Sequence, residues 1–222
     1  MFKALLRKEW ILITRNPESV VLLPFFSFLL ILIFYFGLPA EGRGSHQQAA
    51  AILWLATLFG GVLRLGRTYE AENEGGILSL MSLIPGIAQP FFLSKFLVNF
   101  LFILALELVL FFLTLIIFNL TQPVDFLSKG ALPFAAGAFG FACVGTTFSG
   151  MFVGHSRREL LLPVILYPIL VPLIFAVMKS FVYDVGGQIM GLDPAWIKIL
   201  LGFDLVFLIA SWMVFDRMMT EC

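Results

Sequence analysis

Three polar side chains, Lys95, Asn99 and Glu107, occur within the longest apolar stretch of the chain. A continuous helix turns about 100° per residue, so this spacing places them on one broad face. If the stretch crosses a membrane, such groups mark a transport pathway, a partner or a packed interior. Lys95 is close enough to one end to reach lipid headgroups, whereas Glu107 is central and is expected to be protonated or hydrogen-bonded. Helix packing and transport are both open roles for Glu107, and Asp204 is a similar case.

Catalytic patterns are missing from the sequence. It contains no H-E-x-x-H motif, no paired acids inside an apolar stretch and no nucleophile beside a base, which argues against an intramembrane enzyme. The absence of a G-x-x-x-x-G-K-[ST] loop argues against nucleotide binding of that type. His46 and His155 are single histidines in predicted loops and are expected to be solvated rather than to ligate iron. We therefore expect no metal or cofactor to be bound by this chain.

The composition identifies the environment in which these groups must be placed. Of 222 residues, 60% are hydrophobic and only 13% are charged, whereas a soluble domain is about half apolar and about a quarter charged. Such a chain cannot cover its apolar surface in water. The 14 Lys and Arg balance the 14 Asp and Glu, so no net positive charge points to a nucleic-acid partner. The partner indicated by composition is the lipid bilayer.

Six stretches are long and apolar enough to cross that bilayer, since a spanning helix needs about 20 such residues. The sequence predicts an all-α membrane protein in which residues 17–222 form one six-helix domain. The predicted spans are 20–38, 48–66, 91–118, 130–152, 161–180 and 195–215.

The positive charges predict the orientation, because Lys and Arg are retained on the cytoplasmic side of short loops. One side has only Arg43, Lys129, Lys179 and Lys198, and both termini are therefore expected on the opposite, cytoplasmic side. The cytoplasmic set is Lys3, Arg7, Lys8, Arg15, Arg64, Arg67, Lys95, Arg157, Arg158 and Arg217.

Residues 1–16 differ from the spans in carrying an apolar and a cationic face. Phe2, Leu5 and Trp10 recur at helical spacing, which predicts an amphipathic helix lying in the headgroup region. Asn16-Pro17 should end this helix, because the residue before proline disfavours the α conformation. The alternative is a frayed N-terminus whose charges only fix the orientation.

A loop at residues 67–85 is the least membrane-like part of the chain. Its first half is acidic, Gly75 and Gly76 allow a sharp change of direction, and an apolar edge follows. An exposed apolar edge beside charges suggests a docking surface, and a simple interfacial loop is the alternative. The candidate docking residues are Arg67, Glu70, Glu72, Glu74, Gly75, Gly76, Leu78 and Met81.

Two further spans carry packing signals. In the fourth, small residues recur every fourth position and end in Gly150 and Gly154, a G-x-x-x-G pair that allows close helix approach. In the fifth, Pro163, Pro168 and Pro172 are expected to break up and kink the helix. A moving hinge and a static kink are both compatible with these prolines.

The loop resembles exporter-type ABC permeases in its arginine, spaced acid and glycines, leucines, proline and following lysine. The residues are Arg67, Glu70, Glu74-Gly75-Gly76, Leu78, Leu80, Pro85 and Lys95. The entry segment Leu6 to Glu9, the six spans and the proline-rich stretch 162–175 narrow the resemblance to the CcmB family. That family is the haem exporter permease subunit of the cytochrome c maturation system.

The resemblance implies a permease without its own ATPase, in the bacterial cytoplasmic (inner) membrane. Its implied partners are an ABC ATPase subunit (CcmA-like), other membrane subunits (CcmC-like and CcmD-like) and a second copy of itself. ATP would bind the ATPase subunit, the loop 67–85 would hold the coupling helix, and haem would be a substrate of the complex. The alternatives are a scaffold that moves nothing and an exporter-type permease for another substrate.

Overall fold

The structure, a computed structural model, describes residues 2–15, 21–37, 45–74, 84, 86–120, 123–153, 158–185, 187 and 189–221. These residues form a helical bundle with one short hairpin, so the all-α prediction is confirmed. The elements are α1 Phe2–Arg15, α2 Leu23–Gly37, α3 His46–Gly66, α4 Glu70–Glu74, α5 Ala88–Phe118, α6 Pro123–Met151, α7 Arg158–Lys179, β1 Phe181–Tyr183, β2 Ile189–Leu192 and α8 Pro194–Glu221.

Five helices in the described part of the chain are long and apolar enough to cross a membrane, namely α3, α5, α6, α7 and α8. Each overlaps a predicted span, although α6 begins at Pro123, seven residues before the predicted start at 130. The first apolar helix, α2, has 15 residues. At 1.5 Å per residue it is about 22 Å long, less than the roughly 30 Å of hydrocarbon.

Small residues let α6 lie at the centre of the bundle, in contact with α3, α5, α7 and α8. Ala138 and Ala142 are fully buried, and Gly150 is buried further along the helix. Gly137 faces the indole of Trp54 from α3 and the side chain of Val177 from α7. Gly154, the second member of the predicted G-x-x-x-G pair, lies outside the described residues.

Adding one methyl group at Gly137 is expected to destabilise the bundle. A Cβ there would lie 2.5 Å from the Trp54 ring and 2.8 Å from Val177 Cγ2, and overpacking of this kind costs about 1–3 kcal/mol. Thermal unfolding of Gly137→Ala in detergent should show a lower Tm than the parent. Gly202→Ala is the control, because a Cβ at Gly202 on α8 meets nothing within 4 Å. Equal Tm values for the two variants would contradict this packing.

The prolines of the fifth predicted span do not interrupt its helix. Helix α7 runs continuously through Pro163, Pro168 and Pro172, so the prolines do not interrupt it, and the kink at Pro168 and Pro172 stays a prediction. Pro168 and Pro172 lie on the exposed side, whereas Leu166 and Leu170 are fully buried. The prolines therefore leave the packed face to leucines, and the hinge stays a prediction.

A hairpin between α7 and α8 covers one end of the bundle, called here the hairpin end. Strands β1 and β2 pair antiparallel, with Phe181 opposite Leu192. The Ile189 N–H donates to Nδ1 of His46 at 3.2 Å, and the Lys129 ammonium donates to the Ile189 carbonyl at 3.2 Å. His46 is fully buried and stacks on Phe126, so the expectation that it is solvated is wrong.

Helix α1 lies against α5 at the opposite end, called here the α1 end. Leu5 and Glu9 are buried on the contacting side. Trp10, Ile11 and Leu12 are exposed, with exposed Lys3 and Arg7 nearby. A helix is present over Phe2–Arg15, and its role as an amphipathic helix in the headgroup region stays a prediction.

Candidate functional site

The ammonium group of Lys95 is the centre of a buried ionic cluster at the α1 end. Its Nζ donates to Glu9 Oε2 at 3.0 Å, to Glu72 Oε2 at 3.0 Å and to the Thr68 carbonyl at 2.8 Å. A lysine has three N–H donors, so all of them have acceptors. Lys95 is 1% exposed. The expectation that it reaches the headgroups is wrong, because its charge is neutralised inside the protein.

A second lysine completes the cluster. Lys8 donates to Glu9 Oε1 at 3.3 Å and also to Glu72 Oε1. Burial alone would lower the pKa of Lys8, but the hydrogen bond and charge of Glu72, with the charge of Glu9, raise its pKa above the ordinary value. The two lysines and two glutamates sum to zero charge. We call Lys8, Glu9, Glu72 and Lys95 the ionic cluster.

Aromatic rings pack against the buried side of the cluster, around Lys95. The Lys95 ammonium lies 4.7 Å from the centroid of the Tyr69 ring and 5.2 Å from that of Phe91. Phe215 of α8 stacks on Tyr69 at 6.4 Å. These cation–π contacts favour the charged lysine in a setting that removes its hydration. The last span therefore also contacts the site, through Phe215.

Neutral hydrogen bonds extend the cluster towards the middle of the bundle. Asn99 Nδ2 donates to Thr68 Oγ1 at 3.1 Å and to Thr146 Oγ1 at 3.0 Å. Ser149 Oγ donates to the Leu65 carbonyl at 2.8 Å. Asn99 thus connects the turn after α3 to α6, and all of these side chains are buried. We call Thr68, Asn99 and Thr146 the amide bridge.

Four parts of the chain contribute hydrogen-bonding groups to this site, α1, residues 67–74, α5 and α6, and α8 adds the ring of Phe215. Apart from the helix contacts, they are held by charge-assisted and amide hydrogen bonds, which are directional and strong when buried. Among the described side chains of the site, no nucleophile is aligned with a base. The arrangement can fix the position of residues 67–74 relative to three helices, which is a mechanical role.

The predicted docking residues are in different positions. Arg67 is exposed and Glu70 half-buried, whereas Glu72 is fully buried in the ionic cluster. The expectation that Glu72 faces a partner together with Glu70 is therefore wrong, since both its oxygens accept from lysines of this chain. The remaining docking residues, Glu74 (its side chain), Gly75, Gly76, Leu78 and Met81, lie outside the described part of the structure.

Of the three polar side chains predicted in the longest apolar stretch, Lys95 and Asn99 lie in the same site, whereas Glu107 lies elsewhere in the bundle. Glu107 is 4% exposed and lines a different cavity, together with Leu53 of α3. Asp204 is also buried and lies against Gly140 of α6. In the described residues, no group of three or more His, Cys, Asp or Glu side chains is placed to hold a metal ion.

Sequence reasoning missed Glu9, Thr68 and Thr146 as members of the site. Glu9 appeared only as part of the entry segment, yet an acid in the apolar half of a cationic helix was an available signal. Its partner Lys95 is 86 residues away, so local spacing could not reveal the pair. Thr146 was identified as part of a packing stripe, and its hydroxyl has the added role of accepting from Asn99.

Comparison with protein families identifies a match. The family model described as CcmB protein matches residues 1–217, nearly the whole chain. No curated protein matches the chain. The matched range includes every member of the ionic cluster and of the amide bridge.

Proposed function

The chain belongs to the CcmB family, and from this premise we propose that it transmits ATP-driven movement from a separate ATPase subunit to the membrane part of its complex. The family supports a role in the permease of the cytochrome c maturation ABC transporter. The apolar helices of the chain and its family together identify a multi-pass membrane protein that is a component of a transporter. Coupling, cargo and orientation are the parts that we propose.

The observation that supports transmission best is the burial of Glu72. This residue lies in the proposed docking loop 67–85, before its apolar edge, and its carboxylate is held by Lys95 of α5 and Lys8 of α1. A movement of the docking loop caused by the ATPase would displace Glu72, and through its ion pairs it would displace α5 and α1. Because a buried pair is costly to separate, the helices should follow rather than detach.

In this proposal the α1 end faces the cytoplasm of a bacterial inner-membrane protein, with both termini on that side. The docking surface consists of the apolar edge at Leu78 and Met81, with Arg67, Glu70 and Glu74 at its rim. Exposed charge pairs contribute only about 0–1 kcal/mol, so the apolar contacts should dominate affinity. The ATPase is a CcmA-like subunit, and CcmC-like and CcmD-like subunits complete the complex.

Placing a charge on the apolar edge is expected to abolish docking. Leu78→Asp should reduce co-purification of the ATPase subunit by about tenfold or more, because a buried hot-spot side chain contributes about 2 kcal/mol or more. The measurement is the ratio of the two subunits after affinity purification. Val185→Asp is the control, since Val185 is fully exposed at the hairpin end. Unchanged co-purification of Leu78→Asp with normal ATPase activity would reject this position for the interface.

We propose that haem is handled by a neighbouring subunit, while this chain supplies movement. The sequence has two histidines, His46 and His155, which are far apart along the chain, and its four tryptophans are scattered. Purified chain with and without its ATPase partner can be tested for bound haem and for ATPase rate. Stoichiometric haem on this chain alone would overturn the transmission role, and ATPase activity insensitive to this chain would indicate a scaffold.

A further inference from the structure

An apolar cavity of about 180 Å³ lies between α3, α5 and α6. Its wall is formed by hydrocarbon side chains, including Leu53, Leu104, Phe111 and Phe134, and by one acid, Glu107. It opens on the outside of the bundle, where Leu108 and Leu127 are 52% and 44% exposed. The opening therefore faces the lipid.

Glu107 is unsatisfied in this cavity. The residue is 4% exposed, and neither carboxyl oxygen has a hydrogen-bond partner among the described residues. Burying such a group without a partner is costly, and buried acids are normally paired. Glu107 is 11 residues before the end of α5 at Phe118, which corresponds to about 16 Å along the helix axis. At that depth its side chain cannot reach the membrane surface.

We propose that this cavity is a binding site for a lipophilic amine, whose ammonium group pairs with Glu107 and whose apolar body enters from the bilayer. An amine brings the positive charge that the described surroundings of Glu107 lack. A neutral ligand could be bound through hydrogen bonds by a Gln or Thr side chain at position 107. The carboxylate of Glu107 instead gains most from a positively charged ligand, because the dielectric constant around it is low. The site is separate from the ionic cluster and does not depend on the ATPase coupling proposed above.

The size of the cavity limits the part of the ligand that it can enclose. An apolar cavity of about 150 Å³ accepts benzene, so this one accepts a single ring or a short alkyl segment beside the ammonium group. The rest of the molecule would extend through the opening into the lipid. We therefore expect the site to prefer amines with a small group beside the ammonium and to bind amines with tails of different lengths.

Covalent labelling of Glu107 in the purified full-length chain tests the proposal. Dicyclohexylcarbodiimide is an apolar reagent for carboxyl groups. The acid O–H adds across one C=N bond, and the O-acylisourea rearranges to a stable N-acylurea, so no group leaves. Peptide mass spectrometry then gives the rate of labelling at residue 107. Two matched competitors are N,N-dimethyl-4-phenylbutylamine, a tertiary amine that cannot form an amide with the activated acid, and 4-phenylbutan-1-ol, which has a hydroxyl in place of the amine.

The expected result is that the amine slows labelling of Glu107 about tenfold more than the alcohol, the factor given by a 1.4 kcal/mol preference. Glu107→Gln should lose the adduct. Ala135→Leu, which fills the cavity and keeps the acid, should slow labelling and remove the protection by amine. Asp204→Asn is the control, since it removes another buried acid and should leave labelling at Glu107 unchanged.

Three results would overturn the proposal. These are the absence of an adduct at Glu107, equal protection by amine and alcohol, and full amine protection in Ala135→Leu. Blocked labelling in the assembled complex without amine would assign the cavity to a side chain of a partner subunit instead. If Glu107→Gln does not fold, the competition in the parent chain and in Ala135→Leu still decides the outcome.

Discussion

Replacement of Lys95 by Met is expected to lower the free energy of unfolding by about 3–5 kcal/mol, the typical cost of removing one partner from a buried ion pair. Glu9 and Glu72 would keep their burial and lose their shared cation, and the Thr68 carbonyl would lose its donor. Lys8 alone cannot replace it, because it is on the partly exposed side of the cluster. Thermal unfolding in detergent, followed by tryptophan fluorescence, measures the loss.

Two further variants make this prediction specific. Lys129→Ala removes a partly exposed lysine that pairs with Asp125 and donates to the Ile189 carbonyl, so it should cost about 1–2 kcal/mol, less than Lys95→Met. Lys95→Met combined with Glu9→Gln and Glu72→Gln removes the uncompensated charges and should recover part of the lost stability. A Lys95→Met protein as stable as Lys129→Ala would show that the ionic cluster does not form.

Replacement of Asn99 by Leu is expected to cost about 1–3 kcal/mol, because the hydroxyls of Thr68 and Thr146 lose their common partner inside the bundle. It should also reduce the response of the ATPase rate to complex formation, since the amide bridge connects residues 67–74 to α6. Thermal unfolding and ATPase assays of the assembled complex measure the two effects.

A triple variant separates stability from coupling. Asn99→Leu with Thr68→Val and Thr146→Val replaces all three polar groups by apolar ones of similar shape, which can be nearly neutral for stability. We expect its Tm to recover while coupling stays impaired. Recovery of both properties would mean that the amide bridge is only structural, and recovery of neither would indicate a packing defect.

The sequence predicted those parts of the fold that depend on local composition. Five of the six predicted spans coincide with helices long enough to cross a membrane, because the apolar length of a segment is a property of that segment alone. Helix α6 begins before the predicted span, because the charged Asp125 and Lys129 are not part of an apolar stretch. They form an i, i+4 pair on the helix itself, which is compatible with its first turns.

The sequence could not predict which charged side chains would be buried in the helical bundle. Glu72 lies in an acidic stretch typical of a solvated loop, yet it is fully buried because Lys95 and Lys8 neutralise it. Burial of a charge depends on partners that are distant in sequence. The hairpin was missed for a different reason: each strand has only three or four residues. Its aromatic and β-branched residues before Gly187, which has positive φ, were an available signal.

The separation of Glu9 from Lys95 along the chain has a consequence for biogenesis. At a synthesis rate of about 5–20 residues per second, the 86 residues between them take roughly 4–17 s to make. During that interval Lys95 has not yet been synthesised, so the carboxylate of Glu9 lacks this ion-pair partner. Helix α1 therefore stays in water or among the headgroups. Insertion of α5 then supplies the Lys95 ammonium group. Pairing with Glu9 and Glu72 lowers the free-energy cost of moving this charge into the bilayer. Helix α1 is synthesised before α5 and thereby reaches its final position only after α5 is inserted.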